Sequence, residues 1–360
     1  MKKNSYHVIG LMSGTSLDGV DLAYCLFTYE KENWIYKILN TTTFLYSTEW
    51  EQKLLRGMQL SGAELTATDH AYGRYLGEFV KTFIADNDLQ PDFVSSHGHT
   101  IFHLPEQDLT LQIGHGAYLA AAAGLPVVCD FRTLDIALGG QGAPLVPIGD
   151  EVLFGNYDFC LNLGGIANIS FSHGGTRVAY DICACNMLLN TLANQLNLPY
   201  DQDGTLAQSG KFSPELLHKL NTADYFQSSY PKSLGKEWVD QNSLAHLLGS
   251  DLPVTDKLQT ACHHIATQIA ASVQSIANQT AQPSLLVTGG GAFNSYLVQL
   301  IREAVEPSIN VIVPEPELIN FKEALIFAFL GVLRWEQIPN CLSSVTGARQ
   351  DNVGGAIYWG

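Results

Sequence analysis

The stretch Val8-Ile9-Gly10-Leu11-Met12-Ser13-Gly14-Thr15-Ser16-Leu17-Asp18-Gly19-Val20-Asp21 decides how the rest of the chain is read, because a turn of the same kind returns at Cys160-Leu161-Asn162-Leu163-Gly164-Gly165-Ile166-Ala167-Asn168-Ile169. Each is a glycine-rich turn interrupting what reads as a strand pair. Glycine lets backbone approach a ligand closely, and successive N–H groups in such turns form a concavity suited to anions. Thr15 and Ser16 add hydroxyl donors, and Asp18 adds a carboxylate suited to a hydrated magnesium ion. One turn alone carries little, since glycine-rich hairpins are common. Two of them, one per half of the chain, predict a nucleotide gripped between two lobes.

Composition bounds the remaining options. A chain of 360 residues is long for a single core, so two domains are expected. With 46% hydrophobic and 15% charged residues, the chain is a packed globular protein rather than a disordered one. The 19 basic and 35 acidic residues give a net charge of −16, which argues against a broad nucleic-acid or anionic-membrane surface. A polyphosphate remains compatible, because backbone amides and a metal hold it with few basic side chains. The N-terminal residues 1–7 have no apolar signal core, and no stretch reaches the ~18 apolar residues a membrane span needs. Seven cysteines, an odd number scattered among apolar residues, read as reduced thiols and a cytoplasmic setting.

Along the chain, strands are expected at 6–11, 20–29 and 34–39, and helices at 49–60 and 63–85. A buried strand at 93–96 ends at His97-Gly98-His99-Thr100, and a small-residue helix at 116–124 leads into a strand at 127–129. The glycine-rich run 137–144 reads as the interdomain crossing. Strands at 159–163, 169–171 and 176–180 follow, then an apolar helical stripe over 258–278 and a buried strand at 285–288 before Gly289-Gly290-Gly291. Strand–helix alternation with glycines at strand ends implies a mostly parallel sheet.

Asp181, expected at the end of the 176–180 strand, is placed to act as a general base in a nucleotide site; from this segment alone an N-cap-like Asp at a strand–helix junction is the stronger reading. Arg132 suits a bidentate pair with a substrate carboxylate oriented by Asp130, or else an internal Arg–Asp pair. His97, His99, His103 and His115 invite a metal reading, but the spacing fixes no complete ligand set, so core or substrate-contacting histidines are the stronger reading. Cys183-Ala184-Cys185 is a packed turn rather than a redox pair. Glu323, opening a strongly apolar helix, could meet a sugar hydroxyl or simply compensate the helix dipole.

Taken together, 10–21, Ser96-His97-Gly98-His99-Thr100, Thr110-Leu111-Gln112-Ile113-Gly114, 130–132, 139–147, 162–169, Pro231-Lys232-Ser233, 289–294 and Glu323-Ala324 resemble the anhydro-N-acetylmuramic acid kinase family, within the actin, sugar-kinase and heat-shock-chaperone superfamily. The resemblance runs the length of the chain; its specific motifs are the first stretch, Gly-Gly-Gln-Gly-Ala-Pro and Asn-Leu-Gly-Gly-Ile-Ala-Asn. It implies an α/β, two-lobed, ribonuclease-H-like ATPase fold of actin/hexokinase type, with a mixed central sheet flanked by helices in each lobe. The first lobe is expected at 1–136 with 346–360, and the second at 137–345. By resemblance, Gly14, Thr15, Ser16 and Asp18 would meet phosphates from the first lobe, with Asp18 holding magnesium directly or through water. Gly164 and Gly165 would do so from the second lobe, with Gly289, Gly290 and Asn294 near the adenosine. Thr100, Arg132 and Glu323 fall at sugar contacts, and Asp181 matches the catalytic base. The implied cofactors are ATP and Mg2+; the implied partners are the amino sugar and, as a candidate, a second copy of the chain.

The implied reaction, part of peptidoglycan recycling, has water attack the anomeric carbon of 1,6-anhydro-N-acetylmuramic acid while the freed 6-oxygen takes the γ-phosphoryl group. The chain departs from the family pattern in three places. Ile182-Cys183-Ala184-Cys185-Asn186 stands where Thr-Gly-Pro-Gly-Asn is usual, His99 where Gln is usual, and His115 where an acidic or amide residue is common. Two other classes compete with the implied one: a nucleotide-switched binding protein of the same superfamily, disfavoured by the lack of a substrate-binding tail after the second lobe, and a His-dependent metallohydrolase, which needs zinc. A kinase for a different sugar is the nearer alternative.

Overall fold

β1 (Ser5–Met12) and β2 (Val20–Glu30) pair antiparallel across the first glycine-rich stretch, from Ser5 opposite Thr28 to Met12 opposite Asp21. β3 (Asn33–Phe44) continues this meander. The computed structural model describes residues 3–14, 17–276 and 282–360, so Thr15 and Ser16 lie outside the described residues. β4 (Phe93–Ser96) runs parallel to β1, and a small separate hairpin of β5 (His99–Leu104) and β6 (Leu109–Ile113) follows it. β7 (Val127–Cys129) runs parallel to β4, and the C-terminal strand Ala356–Tyr358 closes the sheet beside β7.

The second half repeats this plan. β8 (Phe159–Leu163), β9 (Ile166–His173) and β10 (Thr176–Ala184) form an antiparallel meander across the second glycine-rich turn. β11 (Ser284–Thr288) and β12 (Asn310–Ile312) add parallel strands on the other side of β8. The orders β3-β2-β1-β4-β7 and β10-β9-β8-β11-β12 are the same arrangement, the ribonuclease-H-like sheet. The mostly parallel sheet expected from strand–helix alternation is therefore replaced by a mixed one. The reason is local: the connections at 13–19, 31–32, 164–165 and 174–175 are too short for a crossover and must be hairpins.

Helices form where polarity follows the helical period. Gly62–Asn87 opens on a reciprocal capping box between Ser61 and Glu64 and buries Tyr72, Leu76, Val80 and Phe83. Val254–Gln274 buries Leu258, Ala261, Cys262, Ile265, Ile269 and Val273, the stripe expected from the sequence. All seven cysteines are buried, and none forms a disulfide. No helix among the described residues is long and apolar enough to cross a membrane.

The chain divides into two units, 1–153 with 321–360, and 154–320. The run 137–144, read from the sequence as the crossing, belongs inside the first unit. Asp135, fully buried, explains why. Its Oδ2 accepts from Gly142 N at 2.8 Å, and its Oδ1 accepts from Thr346 Oγ1 and Asn352 Nδ2, both at 2.9 Å, and from Cys341 Sγ at 3.1 Å. A buried carboxylate demands such partners, and these tie the glycine loop to the C-terminal segment.

The return helix Pro316–Trp335 packs so closely on β1 that a Cβ at Gly10 would lie 2.0 Å from the carbonyl oxygen of Ala324. Gly10→Ala is therefore expected to lower stability by about 1–3 kcal/mol, the range for overpacking. Gly62→Ala, with open space around its Cβ, should be neutral or slightly stabilising. Denaturant midpoints of the two variants test the contrast.

Candidate active site

In the first unit the glycine-rich stretch is anchored from beneath. Ser13, buried just before Gly14, has its Oγ 2.6 Å from Tyr46 OH and 2.8 Å from His99 Nδ1; Tyr46 OH lies 2.6 Å from Tyr72 OH. With a neutral ring, His99 Nδ1 can accept from Ser13 Oγ, Ser13 from Tyr46 and Tyr46 from Tyr72. Burial supplies that condition, pushing His99 down to about 4. Tyr46 and Tyr72 were not legible as site residues, being 26 residues apart and aromatic on an apolar face.

Arg132 follows β7 and does not pair with Asp130, whose Oδ1 accepts from Thr133 Oγ1 at 2.6 Å. The internal Arg132–Asp130 pair is thus not formed, and Asp130 does not orient Arg132. Arg132 instead donates to His97 Nε2 from Nε at 3.2 Å and from one terminal nitrogen at 2.9 Å, and to Gly142 O from the other at 2.7 Å. His97 Nδ1 lies 2.9 Å from Gly98 O, so this nitrogen carries the hydrogen and Nε2 is left to accept. Burial foremost, then the Arg132 charge, holds His97 well below the usual imidazole range. Arg132 is itself pushed down to about 10 by burial, with Glu323 opposing. Of its five N–H groups, one on each terminal nitrogen remains outside these bonds.

Glu323 keeps solvent-accessible surface, yet burial among protein atoms pushes its carboxyl up; Lys322 and Arg132 pull it the other way, and Asp21 adds to the rise. Beside it, Lys322 and Asp150, both 6% exposed, form an ion pair at 2.7 Å. Thr100 is half-buried on β5, where Gln112 Nε2 donates to its Oγ1 at 3.3 Å. Asp18 acts electrostatically on Asp21, whose carboxyl is raised by burial first and by Asp18 third. Carboxylate oxygens such as that of Asp18 are the donors that a hard cation such as magnesium takes.

The histidines do not assemble the metal site considered from sequence. His97 and His99 have the partners just given, and His103 Nδ1 contacts Thr110 Oγ1 at 3.2 Å. Only His115 joins a group of metal-ligating type among the described residues, with Asp69 and His70.

In the second unit, Asp181 is not at a strand end and caps no helix. β10 continues through Ala184, and the helix Asn186–Asn194 has Cys185 at its N-cap position. The pairing with β9 slips between Asp181, opposite Asn168, and Cys183, opposite Ala167. Such a bulge re-aims side chains, and here it falls at the predicted base. The half-buried Asp181 accepts at Oδ2 from Leu234 N at 2.9 Å, and its own carbonyl accepts from Tyr225 OH at 2.6 Å. Lys232 Nζ in turn donates to Tyr225 O at 3.0 Å. Burial pushes the Asp181 carboxyl above the ordinary aspartate value, the Leu234 amide pulling against it. Leu234 and Tyr225 carried no sequence signal, since a backbone amide supplies the one contact and a carbonyl receives the other.

The second glycine-rich turn is bound to the start of that helix. Gly165 O accepts from Cys185 N at 2.9 Å and Met187 N at 3.1 Å, and Gly164 O from Asn186 N at 3.1 Å. Asn186 Nδ2 donates to Leu163 O at 2.9 Å. The unusual Ile182-Cys183-Ala184-Cys185 stretch is thus buried strand leading into these bonds, without glycine or proline. Gly289, at φ +81°, passes the same turn so closely that a Cβ would lie 2.3 Å from Asn162 Oδ1, while a Cβ at Gly290 would lie 3.8 Å from Asn186 Nδ2. The triple glycine, weak as a sequence signal, therefore lies against Gly164 and Gly165's own hairpin. Asn294 caps the helix Ser295–Val305, its Oδ1 accepting from Leu297 N at 2.9 Å.

A sequence model of the anhydro-N-acetylmuramic acid kinase family matches residues 6–360. The chain is 35% identical to the anhydro-N-acetylmuramic acid kinase of Shewanella oneidensis, over 99% of each protein. It is 36% identical to that of Coxiella burnetii, over 100% of this chain and 99% of the relative, and 34% identical to that of Sulfurimonas denitrificans, over 97% and 98%.

The neutral His99 makes a prediction with a definite sign. The unfolded ring takes its proton near pH ~6.5, whereas the folded ring resists until about 4. Between these values the unfolded state binds more protons, so this contribution to stability is full above ~6.5 and is lost as the pH falls through the window. Wild type should therefore lose more stability between pH 7.5 and 5 than His99→Gln, whose amide can still meet Ser13 and does not titrate. Denaturant unfolding of both proteins at the two pH values measures this; equal losses would remove His99 from the account.

Proposed function

The chain belongs to the anhydro-N-acetylmuramic acid kinase family, and on that premise we propose that it hydrolyses the 1,6-anhydro bond of 1,6-anhydro-N-acetylmuramic acid while transferring the γ-phosphoryl group of ATP to the freed 6-oxygen. The observation that carries the assignment of its base is the raised carboxyl of Asp181, aimed by a strand bulge and a backbone amide. A carboxylate poised above the ordinary range is a better proton acceptor for water near neutral pH.

Asp181 takes a proton from water as the water oxygen bonds to the anomeric carbon. The bond from that carbon to the 6-oxygen breaks, and the electron pair on the 6-oxygen attacks the γ-phosphorus. The bond from the γ-phosphorus to the bridging oxygen breaks in turn and releases ADP. No proton donor is required for the departing 6-oxygen, because phosphorus captures it. The product is N-acetylmuramic acid 6-phosphate, and the proton stays on Asp181 until released to solvent.

The remaining roles follow from the donors each residue has to spare. Arg132 offers the two N–H groups left by His97 and Gly142 to the carboxylate that muramic acid carries. Thr100 and Glu323 take sugar hydroxyls. Gly14, Thr15 and Ser16 from the first unit and Gly164 and Gly165 from the second hold phosphate oxygens, and Gly289, Gly290 and Asn294 lie toward the adenosine. Asp18 would hold magnesium, directly or through water, and the ion would neutralise phosphate charge. Recycling of cell-wall sugar in the cytoplasm is the setting that fits this substrate and seven reduced thiols.

Asp181→Asn preserves the contact to Leu234 N but cannot take the proton. Its turnover should fall by roughly 10²–10⁴, the span of general-base contributions, with ATP affinity retained. A coupled ADP-release assay alongside nucleotide titration tests both halves; wild-type turnover in the variant would exclude Asp181 as the base.

A further inference from the structure

Where the helix Gly62–Asn87 passes the end of β6, the carboxylate of Asp69 and the imidazoles of His70 and His115 converge, each offering one ligand atom within 4.8 Å of the others. None of the three takes part in the Ser13, Arg132 or Asp181 networks. Their geometry is held from several sides. His70 stacks on Tyr118 with ring centres 4.1 Å apart, and His115 stands edge-on to His70 at 5.2 Å. The Tyr358 ring lies 5.5 Å from His115. Behind them the backbone is close-packed: a Cβ at Gly116 would lie 2.5 Å from both Cys129 Sγ and the Tyr358 ring. Asp69 Oδ1 accepts from Gly114 N at 2.7 Å, which aims the carboxylate and leaves its other oxygen for a ligand.

We propose that Asp69, His70 and His115 form a binding site for a divalent transition-metal ion of the zinc class, separate from the magnesium that accompanies the nucleotide. Two imidazoles and one carboxylate are the donors that zinc, cobalt(II) and nickel(II) favour, whereas magnesium favours oxygen alone. Three protein ligands leave coordination positions for water. The ion joins the long helix to the turn ending the β5–β6 hairpin, in which Gln112 pairs with Thr100. It also exacts a local change. His115 Nδ1 now accepts from Ala117 N at 3.2 Å. Ligation through Nδ1 takes that lone pair, and ligation through Nε2 puts a proton on it. In either case the Ala117 amide loses its acceptor.

The site is independent of the kinase reading and is tested without turnover. Full-length protein stripped with a chelator is titrated with cobalt(II), followed by visible absorption, and with zinc in equilibrium dialysis with magnesium in excess. The expected result is one equivalent bound, undisplaced by magnesium, with affinity falling roughly tenfold or more in His70→Gln and in His115→Asn. Asn at position 115 is itself a good N-cap, so that variant should still fold. Zinc should also raise the unfolding temperature of wild type but not of the variants, and speed hydrogen exchange at the Ala117 amide. Binding that is unaltered by both substitutions, or seen only at adventitious, non-stoichiometric levels, overturns the proposal.

Discussion

A neutral imidazole accepting two hydrogen bonds from the Arg132 guanidinium is the constraint on which the first unit's arrangement depends. His97 must carry its hydrogen on Nδ1, because Gly98 O receives it, and only then can Nε2 face Arg132. A protonated ring would set two cations against each other, and burial foremost, then the Arg132 charge, holds His97 well below the usual imidazole range. Once His97 is fixed, the end of β4 is joined to the end of β7. The remaining donor side of Arg132 then reaches the Gly142 carbonyl, and Asp135 holds that loop from the other direction through Gly142 N. Three segments far apart in sequence become one surface through these bonds.

The second unit solves the same problem with fewer charges. Its sheet repeats the first in strand order, and its glycine-rich turn sits in the corresponding hairpin. There, however, the turn is steadied by a helix start, with Gly164 and Gly165 carbonyls taking amides of residues 185–187. Asp181 lies on β10, one strand beyond that turn, and a slip in pairing gives it an orientation regular pleating would not. The same short segment thus carries the bulge at Asp181 and the amides that hold the turn. In the proposed reaction, the proton acceptor and a phosphate-holding turn therefore lie within a few residues of each other.

What could be read in the sequence was chemistry carried by contiguous residues. The turns at 10–21 and 162–169, the small-residue helix near 116–124 and the apolar stripe of Val254–Gln274 are local patterns, and periodicity or glycine spacing reveals them. The mixed sheet was less legible, because strand direction depends on connection length rather than on strand composition. Asp181 was identifiable as a carboxylate near a strand end, but its bulge is a property of pairing with β9. Asp135 and His97 were illegible as organisers: their partners lie 7 to 217 and 35 residues away, and no local rule joins Asp135 to Asn352 or Arg132 to His97. The altered Ile182-Cys183-Ala184-Cys185 stretch looked disruptive in one dimension, yet in the fold it is buried and leads directly into the Cys185, Asn186 and Met187 amides that hold the turn.

The central claim is that one event both adds water and transfers phosphate. Its most direct test is mass analysis of the product formed from ATP and 1,6-anhydro-N-acetylmuramic acid, with N-acetylmuramic acid run in parallel as an acceptor that already has a free 6-hydroxyl. The account predicts that the anhydro sugar gains the elements of one phosphoryl group and one water together, with one ADP released per product, and that the intact anhydro ring is never found phosphorylated. A product carrying phosphate without the added water, or ring-opened sugar accumulating without ADP, would contradict it.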